Sequence, residues 1–158
     1  MRRWVFKYFP DAPVYGTWST ESLDRLKRDI QALPHGRAIE EMSKWRCTLT
    51  TPASGSGWAT AKPWEAFLTG TICFFHPAYD DQDHILGQLQ GDDEQHLYNW
   101  LRVSSAEELQ NRVTHVMNDD NAYLWLATTQ RKFLERVFLE DQLGNTLHER
   151  ITTQATVH

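Results

Sequence analysis

Gly70 to Val103 reads GTICFFHPAYDDQDHILGQLQGDDEQHLYNWLRV. Three apolar runs stand out: Thr71–Phe75, Ile85–Leu89 and Leu97–Val103. Polar, acidic breaks separate them at His76–His84 and Gly91–His96. Runs of this length, bounded by Gly, Pro and Asp, predict strands. Three in succession with short connections predict an antiparallel meander.

The flanks extend that reading. Arg3–Phe9 is β-branched and aromatic on both faces, which predicts a central strand stopped by Pro10 and Pro13. From Thr20 or Ser22, Leu23, Leu26, Ile30 and Leu33 recur at three-four-three spacing, so a helix is expected there, ended by Pro34-His35-Gly36. Arg37–Trp45 suits either a short helix or an irregular segment. Arg46–Thr51 alternates as a strand does. Pro52–Gly57 reads as a loop, and Lys62–Gly70 as one or two helical turns opened by Pro63 and stopped by Gly70.

Beyond the meander, Ser105 and Glu108 have capping-box spacing, and Ala106, Leu109, Val113 and Val116 form a second helical stripe. Asn118–Asn121 is expected to end that helix. Tyr123–Ala127 reads as a buried strand. Glu135–Ile151 is compatible with a long helix, but Gly144-Asn145 favours a hairpin, with Arg136–Glu140 as its first strand. The expected fold is therefore α+β. An antiparallel sheet of five to seven strands carries two amphipathic helices on one face.

With 158 residues, the chain has the length of a single domain, expected to span 1–151, with a frayed tail at 152–158. The apolar share of 41% and charged share of 23% are those of a globular protein. A net charge of −5 weighs against nucleic-acid binding, which phosphate neutralisation drives. Cys47 and Cys73 are the two cysteines and have no CxxC spacing. Together with the absence of a signal peptide or an apolar run of ~18 residues, they point to a soluble, cytoplasmic protein.

Catalytic signatures are missing. There is no Gly-x-Gly-x-x-Gly, Walker A, His-Glu-x-x-His or Gly-x-Ser-x-Gly motif. Arg3 with Ser19-Thr20-Glu21 resembles the arginine and Ser-Thr-Ser elements of some ADP-ribosyltransferases. The chain has no Glu-x-Glu to complete that pattern, and helix capping accounts for these residues better.

Two function classes remain. One is a metal-dependent hydrolase. A hairpin would bring His76 and His84 together at the mouth of a loop holding Asp80, Asp81 and Asp83, a donor set suited to a divalent transition metal that activates water. Turn chemistry explains the same aspartates without a metal. The other, preferred, class is a small protein-binding module of inhibitor, immunity or adaptor type, without a cofactor. The chain has seven tryptophans. Of these, Trp18, Trp58 and Trp64 sit in or beside loops and can anchor a contact, while the acidic turn Asp92, Asp93 and Glu94 steers a larger, basic protein partner. Association with further copies of the same chain, through its tryptophans, is a third possibility.

Overall fold

Pro63 and Gly70 delimit the helix on which the architecture turns. Proline sits in the first turn, where its missing N–H has no intrahelical acceptor to lose. Gly70 adopts φ 78°, the left-handed conformation that closes a helix. Its N–H donates to Phe67 O and that of Thr71 to Ala66 O, the paired closure of a Schellman end. The computed structural model describes residues 7–13, 33–50, 61–77 and 89–138. Within them run α1 (His35–Met42), β1 (Cys47–Thr50), α2 (Ala61–Thr69), β2 (Ile72–Phe75), α3 (Gly91–Leu101), α4 (Ala106–Asn118) and α5 (Asp120–Phe138).

Among the described residues the expected antiparallel sheet is not formed. β1 and β2 form one two-stranded sheet, and they run parallel, with Cys47 opposite Ile72 and Thr50 opposite Phe75. A parallel pair needs a crossover, and α2 supplies it. The strands themselves fall where the sequence put them, but their partners do not. The far edge of β2 is also taken. Gln130, on α5, donates from Nε2 to Thr71 O and accepts at Oε1 from Cys73 N–H, both at 3.2 Å. Val103 N–H donates to Phe75 O at 2.8 Å. No edge of β2 is left for an antiparallel meander.

The third run of that meander is helical. Strand geometry would set Leu97, Asn99 and Leu101 on one face. In α3, Leu97 and Leu101 are buried with Tyr98, and Asn99 is exposed. The acidic break before it is the first turn of that helix, where carboxylates oppose the positive end of the dipole. Tyr123–Ala127 is likewise part of α5 and not a strand. Tyr123, Leu126, Gln130, Phe133 and Val137 recur at helical spacing and face the interior. Asn118 does end α4, but Asp119 then opens α5, accepting at Oδ1 from the N–H groups of Asn121 and Ala122.

Other expectations fare unevenly. Ser105 caps α4 as foreseen, its Oγ accepting from Glu108 N–H at 3.1 Å. Arg136–Phe138, expected as a hairpin strand, continues α5, and 139–151 lies outside the described residues. Pro34 caps α1, its carbonyl accepting from Ala38 N–H, so His35 and Gly36, expected as part of a helix stop, are the first residues of a helix. Lys7 and Tyr8 are helical, not extended. The helix expected from Thr20, the loop 52–57 and the run 85–88 fall outside the described residues. The described chain is thus helix-dominated, with five helices around a two-stranded parallel sheet. Its core lies between β2, whose side chains are all buried, and the inner faces of α2 to α5.

Candidate functional site

Of the expected contact residues that are described, Asp92 and Asp93 face outward, and Trp64 and Glu94 do not. Trp64 is half-buried on α2, edge-on to Phe67 (5.8 Å) and stacked on Phe133 (6.1 Å), so it belongs to the core margin. Glu94 turns inward. Its carboxylate takes a two-pronged pair from Arg136, Nε to Oε1 at 2.7 Å and Nη2 to Oε2, and also accepts from Gln90 N–H. Both partners are largely shielded, so the pair fastens the start of α3 to the end of α5. Asp92 and Asp93 remain exposed on the first turn of α3. Trp18 and Trp58 lie outside the described residues.

Of the histidine–aspartate set, His76 alone is among the described residues. His76 is half-buried just past β2, while Asp80, Asp81, Asp83 and His84 lie outside the described residues. Among the described residues no three His, Cys, Asp or Glu side chains gather as a metal site. Burial pushes the thiols of Cys47 and Cys73 up to about 12, against the nearby Arg46 charge for Cys47 and the Thr50 hydrogen bonds for Cys73. Neither is a nucleophile at neutral pH. Adjacent register positions place the two on opposite faces of the sheet, which separates them from each other. An apolar cavity lined by Phe67, Phe75, Tyr98 and Phe133 has room for about 10 Å³, too little for a substrate.

Trp45, Leu68, Met117, Leu124 and Trp125 are large hydrophobic side chains left in solvent. Polar links tie the segments that carry Trp45, Met117 and Leu68 to α5, on which Leu124 and Trp125 lie. Arg46, next to Trp45, donates to Val116 O (3.3 Å), pairs with Asp120 (2.7 Å) and lies over the Tyr123 ring (4.9 Å). Val116 adjoins Met117. Tyr123 Oη donates to Gly70 O at 3.3 Å, and Arg131 Nη1 to Leu68 O at 3.4 Å, which brings the end of α2 alongside α5. Trp125 is held edge-on by His96 of α3 at 5.1 Å between ring centres. On the next flank, Arg112 donates to the carbonyls of Asn99, Trp100 and Arg102 and to Glu108, closing the C-terminus of α3.

Read at a period of 2, Trp125 is a strand residue in a buried run. Read at 3.6 from Tyr123 to Val137, it and Leu124 fall on the outward side. That period was the signal that could have found them. Among the described residues no helix is long and apolar enough to cross a membrane. No protein-family model, no curated protein and no solved structure matches the chain.

Proposed function

We propose that this chain is a small protein-binding module, of inhibitor, immunity or adaptor type, that meets its protein partner through the apolar surface around the N-terminal half of α5. One observation carries the reading: Leu124 and Trp125 are exposed side by side on α5, and Trp45, Leu68 and Met117 are exposed on segments tied to it. Single exposed hydrophobics are ordinary, but a group of them, with two tryptophans, is the composition of a contact surface. Charged residues border it: Arg46 and Asp120 at one end, Arg131 and Glu135 at the other. That is the arrangement of an apolar centre within a polar rim. The outward Asp92 and Asp93, with the net charge of −5, favour a basic partner approaching the α3 side.

The test is affinity capture from the native cell with the intact chain, compared with Leu124→Ala/Trp125→Ala. Both side chains are partly or largely in solvent, so the fold should survive their truncation. The expected result is a specific partner retained by the wild type and weakened about tenfold or more in the double variant, the loss typical of interface anchors. A partner held equally by both proteins would remove α5 from the interface.

A further inference from the structure

The exposed residues of α5 form one outward stripe: Asp120 and Asn121, then Leu124 and Trp125, then Thr128, then Arg131 and Lys132. Their steps of three or four keep them on a single side of the helix. The stripe is acidic at its start, apolar in the middle and basic at its end. Leu124 is 58% exposed, Trp125 is 36% exposed and the Asp120 side chain is 77% exposed. Such a stripe is complementary to itself when reversed. Laid antiparallel on a second α5, the register that sets Leu124 opposite Thr128 also sets Asp120 opposite Lys132 and Asn121 opposite Arg131. The two-fold axis of a closed dimer makes each of these meetings occur twice. Asp120 and Lys132 stand about 18 Å apart along the helix, so the two ion pairs bracket the apolar centre from both ends.

We infer that the occupant of this stripe is a second copy of the chain, paired antiparallel along α5 about a two-fold axis. The inference rests on the reading of α5 as a contact surface and names what covers it. Charge complementarity carries it. Asp120 and Lys132 each meet the opposite charge at the mirror position, while Arg131, paired with Glu135 within the chain, meets the Asn121 amide. Asp120 already accepts from Arg46 within the chain through Oδ1. Its high exposure leaves the carboxylate accessible to a second cation. Lys132 has no ion-pair partner among the described residues. Asp92 and Asp93 lie on α3, take no part in the pairing and stay open to a basic protein. A contact about one helix wide is smaller than the standard interface of ~800 Å² per partner, so the dimer is weak and concentration-dependent.

Sedimentation equilibrium of the intact chain, from low micromolar to several hundred micromolar, tests this. A reversible monomer–dimer equilibrium is expected. Lys132→Asp should weaken it about tenfold by opposing like charges, and Asp120→Lys/Lys132→Asp, which exchanges both charges, should restore it. Leu124→Glu, a change at a solvent-facing position, should abolish it without altering the far-ultraviolet circular dichroism. If the charge-exchanged protein does not fold, Leu124→Glu decides. A chain that stays monomeric throughout, a dimer untouched by Leu124→Glu, or a folded charge-exchanged protein that remains monomeric would each overturn the inference. A monomer that still loses its cellular partner through Leu124→Ala/Trp125→Ala would refute the second copy and leave the contact surface standing. A monomer that keeps its partner through that change would refute both.

Discussion

A glutamine side-chain amide has the donor and acceptor of a peptide group, and Gln130 uses both as a strand would. It reaches from α5 to Thr71 O and Cys73 N–H, two groups pointing from the same edge of β2, and it is fully buried. One residue thereby does the work of a third strand and fixes how α5 sits against the sheet. Gln130→Leu keeps the apolar bulk but leaves a buried carbonyl and a buried N–H without partners. At about 1–3 kcal/mol for each stranded group, the expected loss is roughly 2–4 kcal/mol in urea unfolding. A loss near zero would mean that the sheet edge finds other partners. Sequence alone gives no hint of this role, because a lone glutamine in an apolar run has no pattern to distinguish it from a surface residue.

At the scale of elements, legibility followed the length of the periodic signal. α4 was readable because a thirteen-residue helix carries both a cap, Ser105, and a full apolar stripe. α2 was readable through Pro63 and Gly70. β1 and β2 were located by alternation and by apolar content. Leu97–Val103 and Tyr123–Ala127 were misread because an apolar run of five to seven residues is compatible with strand or helix. The acidic turn before Leu97 was itself a helix start, and the polar break at Asn118–Asn121 was a cap between two helices. Strand direction was lost for a related reason: once α2 is accepted between two strands, a parallel crossover follows, whereas the meander reading paired β2 forward in sequence. The site was less legible than the fold. Trp64, expected as a surface anchor, packs on the core margin, while Trp125, expected in a buried strand, lies at the surface.

The same scale holds the closure of α3. Arg112 of α4 spreads its guanidinium over three carbonyls at the end of α3, lies 5.6 Å from the Trp100 ring centre and pairs with Glu108. Burial lowers its pKa, and the Glu108 carboxylate counters that shift. Several donors in a fixed planar fork are needed, which lysine lacks. Arg112→Lys should therefore recover little of the loss in Arg112→Ala, expected at about 1–3 kcal/mol for hydrogen bonds to a charged group. Thermal unfolding of the two variants measures this. Full recovery by lysine would reduce the contact to simple charge at a helix end.

Across the described residues, the interior is assembled from β2 and four helices, and large apolar side chains stay exposed on α5 and on segments tied to it. Of the tryptophans that looked free in the sequence, Trp64 is the one described, and it packs on the core margin. What remained outside is what the proposed function uses. The central claim is that this exposed apolar surface is a protein contact, and site-specific photo-crosslinking in the native cell tests it most directly. A photoreactive phenylalanine analogue would replace Leu124 in one protein and the equally solvent-facing Asn99 of α3 in another. The account predicts a discrete crosslinked protein adduct from position 124 and none from position 99. No adduct at 124, or the same adducts from both positions, would contradict it.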